Sequence, residues 1–197
     1  HRDVHQEVQE TLTSLGPGLA YSRLLRLKTG SEDEYPQPSL LLECDLCESW
    51  VALDAFTYSF KIREGVLWHD VSPINGRELT AEDVAFSLNR LRTPGWPNAA
   101  LLQNIDAITA EGRYTVNIAL NPGFPDADFL VSLADGHAKV VSQGLVELRE
   151  DLKTSAVIGT GPWRWVNNDR EDIFTFERNP TYFEEGLPFA DELSIRV

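Results

Sequence analysis

Thr57-Tyr58-Ser59-Phe60-Lys61-Ile62 places its large residues at even positions and its polar ones at odd positions. Strand side chains alternate between two faces, so this period predicts a half-buried strand over 56–62. Downstream, Thr80-Ala81-Glu82-Asp83 opens a helix: the Thr hydroxyl can accept from the N3 amide, and two acids suit the positive end of the dipole. Val84, Leu88 and Leu91 recur at helical spacing, Arg90 and Arg92 fall in the last turn, and Pro94-Gly95 stops the element. An amphipathic helix packed on a sheet follows.

Further strands are predicted for 105–109 and 114–120, paired as a hairpin around Glu111-Gly112, where glycine supplies a positive φ. Two more, at 173–178 and 192–197, flank Asn179-Pro180 and Gly186-Leu187-Pro188. Short helices are expected at 128–134 and 144–152, the second with Leu145, Leu148 and Leu152 on one face. The stretch 30–38 has the Gly, Pro and acidic content of an exposed loop, and 1–16 is polar with sparse Val and Leu. Together these elements give a mixed α/β class with largely antiparallel sheets.

A length of 197 residues suits one globular domain or a small domain with parts of a neighbour. Seventeen Lys and Arg against 31 Asp and Glu leave a net charge of −14, which repels phosphate backbones and anionic membranes, so no nucleic-acid partner is expected. No apolar run approaches the roughly 20 residues that span a bilayer. The sequence begins at His1, contains no Met and shows no signal-peptide pattern, so removal of an upstream segment is expected.

Cys44-Asp45-Leu46-Cys47 is a lone C-x-x-C. A structural zinc needs two more ligands, and His1, His5, His69 and His137 are not paired at ligand spacing, so no metal is expected. A redox motif would need a thioredoxin-like βαβ setting, which leaves a local disulfide or two buried thiols. His69-Asp70 and the acids Asp126 and Asp128 are enzyme-like pairs, and acids ahead of a helix ordinarily cap free amides. The chain holds no G-x-S-x-G, P-loop, G-x-G-x-x-G or H-E-x-x-H, and Gly159-Thr160-Gly161-Pro162 lacks the lysine of a phosphate loop. No catalytic residue and no cofactor is therefore assigned. The aromatics Tyr21, Trp50, Trp68, Trp96, Trp163 and Trp165 could line a solute cleft or simply cover the core.

From Cys47-Glu48-Ser49-Trp50 through Thr57-Tyr58-Ser59-Phe60-Lys61-Ile62-Arg63 and Gly65-Val66-Leu67-Trp68-His69-Asp70, the chain resembles the peptide and nickel class of solute-binding proteins, family 5. Leu79 to Ser87 resembles that family's L-T-A-E-D-V-x-[FY]-S helix, Gly159-Thr160-Gly161-Pro162-Trp163 its G-T-G-P-[YF] element, and Glu177 to Phe183 its E-R-N-P-x-Y-[WF] element. Two departures stand out: Val71 to Gly76 lengthens the turn after Asp70, and Trp163 replaces the commoner Tyr.

The resemblance implies a type II periplasmic-binding-protein-like fold, of which this chain is the N-terminal lobe with a small subdomain, the second lobe being expected after Val197. The implied division is 1–42 for the first part of lobe one, 43–155 for the subdomain and 156–197 for the returning strands. It further implies a monomeric, non-catalytic component that captures peptides or a similar small solute outside the cytoplasm for an ABC permease, anchored to the membrane through the removed segment. Hinged closure of two lobes forms such sites, so this chain alone is expected to bind solute weakly. Two loops fall where the family's cleft lies and a third, 133–138, lies near the crossing back to lobe one and lines or flanks it, giving Ala20, Tyr21, Trp96, Asn98, Asp135 and His137 as ligand-binding candidates. A protein-interaction module and a secreted hydrolase are the competing readings.

Overall fold

The structure is a computed structural model that describes residues 2–28, 41–123, 129–166 and 173–196. The loop expected over 30–38 lies outside the described residues, as do Asp126 and Asp128. Within them the chain is mixed α/β, and every sheet is antiparallel.

The central sheet has the order β3-β4-β6-β5, from β3 (Cys47–Ala52), β4 (Thr57–Ile62), β5 (Ile105–Glu111) and β6 (Thr115–Leu120). Alternation in β4 has its expected consequence: Phe60 and Ile62 lose all solvent contact while Lys61 stays exposed and pairs with Glu48 at 2.6 Å. Phe60 stands opposite Val116, and Tyr58 opposite Ile118. The β5–β6 hairpin turns through Gly112, whose φ of 62° requires the residue without a Cβ.

Helix α2 (Ala81–Leu91) covers this sheet, packing against β5 and β6. Val84, Leu88 and Leu91 are fully buried, each contributing roughly 2 kcal/mol. The helix begins in a capping box, with the Thr80 N–H donating to Asp83 Oδ2 at 3.1 Å. On the far side Arg77 grips the same carboxylate.

Helix α1 (Glu10–Leu15) and a 3₁₀ turn (Pro17–Ala20) precede a two-stranded sheet, β1 (Leu25–Leu27) with β2 (Leu42–Cys44). Cys44 ends β2, Cys47 begins β3, and the two are disulfide-bonded with their Cα atoms 5.0 Å apart. Between them the Asp45 and Leu46 amides donate to Leu24 and Arg23 carbonyls at 3.2 and 2.9 Å. The motif thus staples the crossover between two sheets, and closing so short a loop contributes about 2 kcal/mol. The third sheet, β7 (Trp163–Val166), β8 (Ile173–Arg178) and β9 (Glu192–Arg196), returns after α3 (Phe129–Ser132) and α4 (Gln143–Arg149).

One expectation fails within α4. The helix spans 143–149 rather than 144–152, because Ser142 Oγ caps it and Glu150 leaves it at a φ of 65°. Leu148, still inside the helix, is 59% exposed, while Leu145 stays buried and Leu152 reaches the core from the loop. Strands β1, β2, β3 and β7 were not foreseen. They are short or two-sided: β3 is an edge strand whose Glu48, Ser49, Val51 and Ala52 are all exposed, so no apolar alternation marks it. Among the described residues, no helix is long and apolar enough to cross a membrane.

Candidate functional site

Gly159-Thr160-Gly161-Pro162 is a crossing point of backbones. The Gly161 N–H donates to the Ala20 carbonyl at 2.9 Å, and a Cβ on Gly161 would stand 2.8 Å from the Ala20 carbonyl carbon. His69 locks the crossing from the other side: its N–H donates to Gly159 O at 2.8 Å and its Nδ1 accepts the Gly159 N–H at 3.4 Å. That leaves Nε2–H to donate to Gly161 O at 3.0 Å, where Asn179 Nδ2 also donates. Burial lowers the His69 pKa to about 4, and the neutral ring is the form this geometry uses. With both ring nitrogens committed to backbone, His69 is a brace rather than a general base.

Ala20 and Tyr21, two of the six candidates, form the buried face of this crossing, with 0% and 4% exposure. Burial raises the Tyr21 pKa, so the phenol stays protonated. Directly behind lies Lys139, its Nζ 3.4 Å from the Tyr21 carbonyl. Burial, reinforced by Arg23 and opposed by Asp45 and Asp135, pushes the Lys139 ammonium down to about 7.

Asp135 and His137 line a concavity of about 510 Å³, shared with Val8, Ser14, Arg23 and Leu27. The Asp135 Oδ1 accepts from the His137 N–H at 2.8 Å and from its ring Nδ1 at 2.9 Å. Burial opposes the Asp135 charge, yet the His137 donors and nearby Arg23 hold its pKa below the ordinary carboxylate value. Arg23 crosses beneath, donating from Nη1 to the Ala134 carbonyl at 2.7 Å. His137 Nε2 is buried and has no hydrogen-bond partner among the described residues. A carboxylate, a guanidinium and an imidazole thus meet beside the apolar Val8, Leu27 and Val131. Such a wall suits a polar solute bearing both charge signs or amide groups.

Trp96 and Asn98 are placed differently. Asn98 Nδ2 donates to the His5 and Glu7 carbonyls at 3.0 and 2.8 Å, and the Arg90 guanidinium lies over the Trp96 ring at 4.6 Å. Both therefore hold the N-terminal segment, whose Val8 borders the concavity. The remaining aromatics divide: Trp68 is fully buried, while Trp50, Trp163 and Trp165 are half-buried on strands β3 and β7. Sequence reading missed Arg23 and Lys139. Their signal was a cation directly ahead of two aliphatic residues, Leu24-Leu25 after one and Val140-Val141 after the other.

The chain matches the model of Bacterial extracellular solute-binding proteins, family 5 Middle, over residues 42–197. It is 30% identical to the Probable di/tripeptide-binding protein 5 of Pseudomonas aeruginosa (strain UCBPP-PA14), over 99% of this chain and 39% of that protein. Among solved structures it is similar to the A. tumefaciens R10 binding protein MoaA in complex with mannopinic acid, with a TM-score of 0.81 and 25% identity over 98% of this chain and 37% of that one. It also shares its fold with the ABC transporter-associated periplasmic binding protein DppA of Helicobacter pylori in complex with the peptide STSA, with a TM-score of 0.79 and 24% identity over 100% of this chain and 40% of the other. The chain thus spans about two fifths of the length of these proteins.

Proposed function

Because the chain belongs to the bacterial extracellular solute-binding proteins of family 5, we propose that it captures a small polar solute, di- and tripeptides foremost, for an ABC-type importer. The observation that carries this reading is the concavity where Asp135, His137 and Arg23 converge beside an apolar floor. Main-chain amides and charged termini of a short peptide offer the donors and acceptors that such a wall can pair. Among the described residues, His137 Nε2 makes no hydrogen bond to Ser14, so the nucleophile–base pairing of a hydrolase is not formed there.

The same reading places the protein outside the cytoplasm as a monomer, delivering its load to a membrane permease. Within it, residues 1–42 and 156–197 build one lobe, and 43–155 a subdomain that leans on it. The wall described above is then one side of a cleft, and the proteins matched are long enough to supply another.

Native mass spectrometry on the full product of the reading frame, gently purified, tests the proposal. Co-purified short peptides are the expected result. A protein that emerges empty and ignores di- and tripeptides contradicts it and favours a module that recognises another protein.

A further inference from the structure

Residues 2–8 lie outside the stretch matched by the family model, yet buried side chains and hydrogen bonds tie them to the wall of the concavity and to α2. Asp3 has no solvent exposure and forms a two-pronged pair with Arg90, Nη1 to Oδ1 at 3.0 Å and Nη2 to Oδ2 at 2.6 Å. His5, also fully buried, faces the same Arg90 Nη1 with its Nδ1 at 2.9 Å, while its Nε2 meets the Lys139 carbonyl at 2.8 Å. A guanidinium only donates, so Nδ1 must accept and Nε2–H must donate: the ring is held neutral by its partners. Asn98 closes the other edge of the segment through the His5 and Glu7 carbonyls.

We propose that residues 2–8 are an acid-releasable strap: it fixes the Trp96–Asn98 loop and the 137–140 wall of the concavity, and it lets both go when His5 takes up a proton. The groups facing His5 are Arg90 from α2, Asp3 from its own segment, and His137 and the Lys139 carbonyl from the wall, while the loop contributes the uncharged Trp96 and Asn98. A proton on Nδ1 destroys the acceptor for Arg90 and sets two cations face to face in a buried site. Asp3 offsets one of them and cannot offset both. The consequence for solute rests on the function proposed above, because Val8 and His137 border the same concavity.

Burial and the facing guanidinium lower the His5 pKa to about 4, whereas an opened strap returns it to its ordinary value. The open state therefore binds more protons, and opening becomes easier as pH falls. Between about pH 7.5 and 5 the opening constant should rise roughly 30-fold.

The test is amide hydrogen exchange on the full reading-frame product, corrected for intrinsic rates, following His5, Gln6 and Glu7 in the strap and Ala138 and Val140 in the wall. Expected is a rise of roughly 30-fold in opening at about pH 5 in the natural sequence, with β6 amides still protected. His5→Gln, which keeps an acceptor and a donor but does not titrate, should lose that rise. Asn98→Ala should loosen the same amides about 10-fold already at neutral pH, through two lost hydrogen bonds. An equal acid response in His5→Gln, or strap amides that open only together with β6, would overturn the proposal. Trialanine titrations at both pH values form a second arm: affinity falling with strap opening, in the natural sequence alone, is expected. Strap opening with unchanged affinity overturns the link to solute, while no trialanine binding at either pH counts against peptide capture and leaves the exchange result to decide the strap.

Discussion

Gly159→Ala is expected to destabilise the protein by at least about 3 kcal/mol, while Gly65→Ala costs only about 1 kcal/mol. The contrast is steric. A Cβ on Gly159 would strike the Ala20 carbonyl oxygen and lie 2.9 Å from the Tyr21 Cα, and backbone atoms cannot swing aside as a flexible side chain would. Gly65 has a φ of 73° but nothing within 4 Å of the added carbon, so only its left-handed conformation is penalised. Crowding at Gly159 also pushes apart the His69 brace, whose two bonds to that residue hold the crossing. Thermal melts of both variants decide it: a chain of this size should lose several degrees more at Gly159 than at Gly65. Equal losses would mean that the two backbones do not touch.

The second large effect is on stability against pH, which should rise from about pH 4 to about pH 10 rather than peak near neutrality. His5 and His69 each have a folded pKa lowered to about 4 by burial. Below their ordinary value of about 6.5 the unfolded chain takes up protons that the folded one refuses, so stability drains away as pH falls from there to about 4, on the order of 3 kcal/mol for each ring. Lys139, pushed down to about 7, acts the same way higher up: between there and its ordinary value near 10 the unfolded state again holds more protons. Above that range the raised Tyr21 and Tyr182 reverse the slope, because the unfolded phenols ionise first. Asp45, raised by burial, works against the acid loss without matching two histidines. Urea titrations across the range check the sign, and Lys139→Met should flatten the alkaline part alone. A maximum near neutral pH would contradict the buried, poorly paired lysine.

Legibility of the sequence follows burial asymmetry. Strands β4, β5 and β6 have one wet face and one dry face, so alternation disclosed them; α2 announced itself through its cap and its Val84-Leu88-Leu91 stripe. Edge strand β3 has neither cue, and β7 carries half-buried residues at every position. Leu148 misled because helical spacing marks a face of the helix but not whether another element covers it. Of the candidate site, Asp135 and His137 could be placed from the resemblance, but Trp96 and Asn98 depend on residues some 90 positions away in sequence, Asp3 through Arg90 and His5 directly. Long-range side-chain to backbone bonds leave no periodic trace. Arg23 and Lys139 were hidden for a related reason: a buried cation is stabilised by partners that only the fold assembles.

The central claim is that the wall made by Val8, Arg23, Asp135 and His137 faces solute. Hydrogen-exchange mass spectrometry on the full reading-frame product, with and without the solute that co-purifies, reads this directly. Within residues 1–197, new protection confined to segments around residues 8 and 23 and across 131–140 is the predicted result. Protection instead around Ser72-Pro73 and 149–156, where a second concavity of about 360 Å³ lies, would contradict the account.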